Sequence, residues 1–248
     1  MILLAILFLV TAILYSSVGF GGGTTYIALL LFWGVPYFIF PLIALSCNVI
    51  VVLGNCYNYT RAGNLNIKLL LPYLAGSIPL SYIGGSLPIE KKLFEILLFL
   101  VLITAGTLLL FNFKSYDESK GMYRKIPLSI SVIIGGVLGF ISGVVGIGGG
   151  IFLSPILFLL RVGKPKHIIT AASLFILINS IFGIIGQLTK NSVLIEIQNY
   201  WYLLIAVLIG GQIGNILNLK ILPAKFLALI TAVLVIFIAT RIGFKLFL

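Results

Sequence analysis

The chain alternates long apolar runs with short polar interruptions. No charged residue occurs between Met1 and Thr60, and the later uncharged runs cover 69 to 89, 96 to 113, 126 to 160, 168 to 189 and 197 to 219. A helix needs about 20 apolar residues to cross a bilayer, so most runs have the length of one crossing and two are longer. The continuous runs differ from the alternating strands of a membrane β-barrel. The pattern predicts an all-α, polytopic integral membrane protein.

Two segments of the chain resemble each other closely enough to indicate duplication. SSVGFGGGTTYIALLLFWGVP (16 to 36) matches SGVVGIGGGIFLSPILFLLRVGKP (142 to 165), and GSIPLSYIGGSLP (76 to 88) matches GQIGNILNLKILP (211 to 223), in the same order. The chain is therefore divided into an N-terminal membrane repeat (1–113), a polar linker (114–125) and a C-terminal membrane repeat (126–248).

Each repeat is predicted to contain four segments, and the first of them is a long uncharged stretch broken by G-x-GGG. Three ordinary helices follow in each repeat. Their predicted bounds are 37–59, 68–87 and 92–113 in the first repeat, and 167–188, 198–219 and 224–246 in the second.

The path of the glycine-broken segments determines the topology. Full crossings give a parallel repeat, whereas segments that enter and leave on one side give an inverted repeat. The basic residues split 9 to 7 between the two sides in the first case and 11 to 5 in the second. The positive-inside rule favours the inverted repeat, with both termini outside. The predicted cytoplasmic set is Arg61, Lys68, Lys114, Lys120, Arg124, Lys125, Arg161, Lys164, Lys166, Lys220 and Lys225.

Composition excludes a soluble globule, since 61% of the residues are hydrophobic and only 8% are charged. The 16 Lys and Arg outnumber the 5 Asp and Glu, but they lie singly or in pairs at the ends of apolar runs. This placement indicates anchoring in membrane lipid and orientation, and it disfavours nucleic-acid binding.

An intramembrane enzyme would need paired acids, a metal cluster or a nucleophile with its base. The only histidine, His167, lies at a loop–helix junction beside two lysines, and no carboxylate is predicted at membrane depth because Glu90 and Glu95 flank a helix start. We therefore predict no enzymatic activity, no metal and no cofactor. A passive channel or a structural assembly subunit remains an alternative to a carrier.

The G-x-GGG motifs are predicted to break their helices, because each glycine costs about 1 kcal/mol relative to alanine. Non-helical backbone at membrane depth is tolerated only inside protein or beside a cavity. We expect half-helices over Thr24 to Trp33 and Ile151 to Leu160, each with its N-terminus at the glycines.

A helix N-terminus attracts anions, and two of them brought together by the repeat would form one central site for a small anionic substrate. For isolated glycines we favour close helix packing instead, and the hydroxyl and amide residues could equally make interhelical hydrogen bonds. The candidate binding residues are Gly21, Gly22, Gly23, Thr24, Thr25, Ser46, Asn48, Gly148, Gly149, Gly150, Ser173 and Asn179.

The paired glycine motifs, the helix containing TAASLF (170 to 175) and a GxxxG-like third helix ending before Leu-Pro resemble the sulfite exporter TauE/SafE family of membrane permeases. The resemblance covers nearly the whole chain. It implies a multi-pass transporter of the prokaryotic plasma membrane that carries sulfite, thiosulfate or an organosulfonate. The glycines of both motifs match the family's signature positions.

The two repeats differ after their glycines, where Thr24-Thr25 in the first corresponds to Ile151-Phe152 in the second. The halves are therefore expected to contribute unequally to binding. We expect alternating access around a midplane site, with a passive anion channel or a carrier of another small organic anion as the alternative.

Overall fold

The computed structural model describes residues 2–17, 19–111, 123–124, 126–190 and 196–217, with isolated positions between 233 and 244. The described residues are helical and contain no strand, which confirms the predicted all-α class. The predicted linker 114–125, apart from residues 123 and 124, and most of the predicted helix 224–246 lie outside the described residues.

The helices follow the predicted order closely. The predicted half-helices are each displaced by one residue, and four helical segments are long and apolar enough to cross a membrane: Tyr37–Arg61, Ile67–Ser86, Leu128–Val145 and Lys166–Gln187. The chain is thus a multi-pass membrane protein. The α-helices of the described residues are α1 (Ile2–Ser16), α2 (Gly23–Phe32), α3 (Phe40–Arg61), α4 (Ile67–Ser86), α5 (Lys91–Phe111), α6 (Leu128–Val145), α7 (Gly150–Leu159), α8 (Pro165–Gln187) and α9 (Trp201–Leu217).

Local sequence explains several helix ends. Pro41 lies in the first turn of α3, where its missing N–H has no helical acceptor to lose. The Asn66 side chain caps α4 by accepting a hydrogen bond from the Leu69 amide at 3.2 Å. Helix α6 ends at Gly146, whose φ of 92° is left-handed and favours glycine.

Each half of the chain packs its first helix against the other half. Helix α1 packs along α9 of the second half, and α6 packs along α4 of the first half. Glycines make both contacts close: a Cβ added to Gly210, Gly214, Gly135 or Gly139 would overlap a carbonyl oxygen of the facing helix. The prediction that isolated glycines permit close helix packing is confirmed at these positions.

The contacting residues also give the helix directions. Gly210 and Gly214 of α9 meet Leu9 and Ile13 of α1, so these helices are parallel. Helix α3 is parallel to α9 as well, because Gly211 and Asn215 of α9 follow Val51 and Gly54 of α3 in the same order. A second parallel set consists of α4, α6 and α8, which meet at Tyr73–Gly135, Ser81–Gly143, Ser81–Asn179 and Gly85–Gly183.

The two sets run in opposite directions where α3 packs on α8. Leu45, near the start of α3, contacts Gly183 near the end of α8, whereas Val52 and Cys56 pack on the earlier Ile176. Since α1 and α3 are parallel, the chain must turn back between them. It does so through the first glycine motif and α2, and in the second half through the second motif and α7.

Candidate functional site

Both half-helices begin at glycines in the left-handed region of the backbone. Gly22, with φ 82°, precedes α2, and Gly149, with φ 74°, precedes α7. A residue with a Cβ pays about 1–2 kcal/mol to adopt this conformation. Among the described residues, no side chain caps either helix. The first N–H groups of α2 and α7 have no acceptor within their own helix, and they form the positive ends of the two helix dipoles.

The two glycine breaks, the first at residues 19–23 and the second at residues 146–150, lie against each other. A Cβ added to Gly23 would lie 2.8 Å from the carbonyl oxygen of Ile147, in the other break. This is tighter than real Cβ contacts, so only glycine fits here without displacing its neighbours. The fold therefore brings together the two half-helix starts that the repeat predicts at one central position.

Asn48 of α3 lies between the two breaks. Its side chain is fully buried, and its Nδ2 donates a hydrogen bond to the Ile147 carbonyl at 3.1 Å. The same Nδ2 lies 2.8 Å from the Cβ positions of Gly23 and Gly148. Its Oδ1 is buried without a hydrogen-bond partner among the described residues. Such an oxygen costs about 1–3 kcal/mol.

Hydroxyl groups line the first break. Thr25 Oγ1 and Tyr15 Oη are 2.8 Å apart in a buried hydrogen bond. Thr24 is 1% exposed, and its Oγ1 has no partner in the described part of the chain. The predicted threonines thus lie at the break, with one hydroxyl already bonded and one available.

A cavity of only about 10 Å³ separates the breaks, bounded by Thr24 and Gly22 on one side and Ile147 and Ile151 on the other. One water molecule needs about 10–15 Å³ measured in this way. The described conformation is therefore closed around the candidate site and has no space for a sulfite-sized anion.

The remaining predicted residues lie at different distances from the breaks. The single hydroxyl hydrogen of Ser173 is shared between the Gly19 carbonyl at 2.5 Å and the Ile169 carbonyl at 3.0 Å, and the first of these contacts ties α8 to the first break. No described contact joins Ser46 or Asn179 to either break. Asn179 Nδ2 instead donates to the Phe175 carbonyl of its own helix at 2.8 Å.

Sequence reasoning missed Ser180, an α8 residue whose hydroxyl lies at the second break. It is fully buried, its Oγ has no partner among the described residues, and that atom lies 3.3 Å from the Cβ position of Gly148. Ser180 is two helical turns beyond Ser173 and shares its face, whereas Asn179 points about 100° away. Helical periodicity from Ser173 was the available signal.

The two halves of the site differ in polarity. Phe175 has in the second repeat the position that Asn48 has in the first, counted at the offset of the glycine motifs. A Cβ added to Gly149 would lie 2.8 Å from the Phe175 ring, whereas Gly21 and Gly23 face the Asn48 amide. The first half therefore supplies polar groups and the second mostly apolar ones.

One expectation about carboxylates is wrong. Glu95 lies near the start of α5, as predicted, but it is only 8% exposed, so a buried carboxylate is present where the sequence predicted none. It is buried because the first turns of α5 pack against the start of α3, where the Phe94 ring lies 5.8 Å from Tyr37 and 6.1 Å from Phe40.

His167 Nδ1 and the Asn64 carbonyl oxygen are 2.9 Å apart, which joins the start of α8 to the α3–α4 loop.

Comparison with known proteins identifies relatives along nearly the full chain. The profile of a family described as "Sulfite exporter TauE/SafE" matches residues 3–242. A probable membrane transporter protein, y4hK, from Sinorhizobium fredii is 29% identical over 93% of both chains. The probable membrane transporter proteins YunE of Bacillus subtilis and MJ0441 of Methanocaldococcus jannaschii are 24% and 26% identical, over 98% and 94% of this chain and 97% and 91% of their own. No solved structure matches the chain.

Proposed function

We propose that this chain, which belongs to the sulfite exporter TauE/SafE family of membrane transporters, carries a small sulfur-containing anion across the prokaryotic plasma membrane. Sulfite, thiosulfate and organosulfonates are the substrates considered. The observation that carries the proposal is the meeting of two glycine-started half-helices around the buried amide of Asn48.

The proposed site binds the anion through neutral donors. Free N–H groups at the starts of α2 and α7, the Thr24 hydroxyl and the Asn48 amide replace water around the anion. The two helix dipoles add positive potential without a charged side chain. In the closed conformation Asn48 Nδ2 is bonded to the Ile147 carbonyl, so parting of the breaks would free this donor for the substrate.

Alternating access is the proposed mechanism, since a cavity of about 10 Å³ between the breaks cannot admit the substrate without movement. Opening toward one membrane face and then toward the other would expose the same site in turn. A passive channel, the second candidate, needs a continuous path, and the contact of Gly23 with Ile147 disfavours it.

We further propose an inverted repeat. It is supported by the antiparallel packing of α3 on α8 and by the return of the chain between α1 and α3. Nine basic residues are described, and six of them lie at the end of the molecule where α3 ends and α8 begins. These are Arg61, Lys68, Arg124, Arg161, Lys164 and Lys166, and the positive-inside rule makes that end cytoplasmic.

Counterflow in proteoliposomes with labelled sulfite, labelled thiosulfate and acetate as a control tests this function. We expect exchange of the sulfur anions and at least a tenfold loss in Gly148→Ala, because the new Cβ would displace Asn48 Nδ2. Gly63→Ala is the matched control, since Gly63 also has a positive φ of 73° but open space around its Cβ position. Equal rates in the two variants would contradict the proposed site.

A further inference from the structure

A much larger cavity opens at the end of the protein where α3 begins and α8 ends. Its volume is about 340 Å³, compared with about 10 Å³ at the glycine breaks. Small-molecule sites commonly occupy about 300–1,000 Å³. We call it the terminal cavity, and the residues of its lining that matter here are Phe38, Pro41, Phe94, Val144, Gln187 and Lys190.

The terminal cavity contains a positioned cation. Lys190 Nζ donates a hydrogen bond to Gln187 Oε1 at 3.1 Å, and the fully buried Gln187 donates from Nε2 to the Gly143 carbonyl at 2.9 Å. These bonds tie the ammonium group to α6. Among the described lining residues there is no carboxylate to neutralise it.

Burial leaves this ammonium group short of hydration. The burial lowers the pKa of Lys190 to about 8, so at neutral pH this side chain is still protonated in most of the molecules. A partly buried charge is stabilised by a counter-ion. Since the described lining holds no carboxylate, a soluble anion is the partner that the cavity can accept.

The walls of the terminal cavity are mainly apolar. Phe94 and Val144 are each 3% exposed, and Phe38 and Pro41 complete the apolar surface near the ammonium group. An anion with an apolar portion gains from burial against these side chains, whereas sulfite has no such portion. The combination favours an organic anion over a compact inorganic one.

The terminal cavity lies next to the second glycine break. Pro41 and Val144 line it, and a Cβ added to Gly146 would overlap the Pro41 backbone. Asn48 lies two turns beyond Pro41 along α3, at a distance of about 10 Å. Close contact between Pro41 and Gly146 is thus what separates the cavity from the candidate central site.

We propose that the terminal cavity is a second anion site, in which the Lys190 ammonium group binds small organic anions that join one anionic group to an apolar portion. Its role as the outer access site for the central glycine breaks rests on the proposed transport function. Binding in the cavity does not depend on transport.

The test is an equilibrium titration of the full chain in nanodiscs with propanesulfonate at constant ionic strength. Phe38→Trp supplies a fluorescent reporter in the cavity wall, with Trp33 and Trp201 replaced by Phe. We expect a saturable signal whose Kd rises at least tenfold in Lys190→Gln and returns to within threefold in Lys190→Arg. Lys92→Gln, at an exposed lysine of α5 outside the lining, is the matched control and leaves the Kd unchanged.

The absence of a saturable signal, an unchanged Kd in Lys190→Gln, or sulfite binding as tightly as propanesulfonate would overturn this second site. The titration detects binding without transport. If propanesulfonate binds but counterflow shows no transport, only the proposed function is overturned. If counterflow shows transport but propanesulfonate does not bind, only the terminal site is overturned.

Discussion

At the scale of single residues, Asn48 connects the two halves of the protein. Its amide contacts Gly21 and Gly23 of one break and donates to Ile147 of the other, yet its oxygen has no partner among the described residues. Apolar residues of similar size would pack there without an unpaired oxygen. In the proposed site Asn48 would act through its Nδ2 donor, because Oδ1 can only accept hydrogen bonds and a fully ionised anion offers it none.

Asn48→Ala removes the amide donor from the proposed site. We expect the KM for sulfite in counterflow to rise about tenfold, the equivalent of roughly 1.4 kcal/mol and close to the lower limit of about 1.5 kcal/mol for one hydrogen bond to a charged group. Asn58→Ala is the matched control, because Asn58 is an amide of the same helix whose 2.9 Å bond to Asn215 lies away from the breaks. A KM that is unchanged in Asn48→Ala, or raised equally in both, would remove Asn48 from the site.

At the scale of elements, the sequence predicted where helices begin and end better than it predicted which face each helix turns toward its neighbours. The starts of α2 and α7 were predicted to within one residue, because the low helix propensity of glycine acts at the position of the glycine itself. Helix α3 begins at Phe40 instead of residue 37, since Tyr37–Ile39 forms a 3-10 turn after Pro36. Asn179 was predicted at the site where Ser180 lies. The orientation of α8 about its own axis was missing, because tertiary packing decides which face of α8 meets the break.

The pairing of α1 with α9 gives a prediction at this scale. Gly214→Ala would place a methyl group on the Ile13 carbonyl, and overpacking of this kind costs about 1–3 kcal/mol. We expect the thermal unfolding midpoint in detergent to fall by about 5 °C. Gly211→Ala, in the same helix, meets its nearest atom at an ordinary 3.6 Å and should leave the midpoint within 1 °C. Equal midpoints would rule out the close α1–α9 contact.

At the scale of the whole molecule, the exchange of helices means that neither half holds its first helix alone. Helices α1 and α6 each lead into a glycine break while packed on the opposite half. Movement of one half against the other would therefore carry a break with it and change the separation of the two half-helix starts. This coupling is the physical basis of the proposed alternating access.

The most direct measurement is counterflow of labelled sulfite after the two breaks are cross-linked. Thr24→Cys and Ile151→Cys place thiols at corresponding repeat positions around the central cavity, in a chain whose buried Cys47 and Cys56 are replaced by Ala. If the breaks must part during transport, the oxidised protein loses at least nine-tenths of its rate and reduction restores it. The cross-link is verified by the loss of free thiols. If the cross-linked protein exchanges sulfite as fast as the chemically reduced protein does, the result contradicts the account.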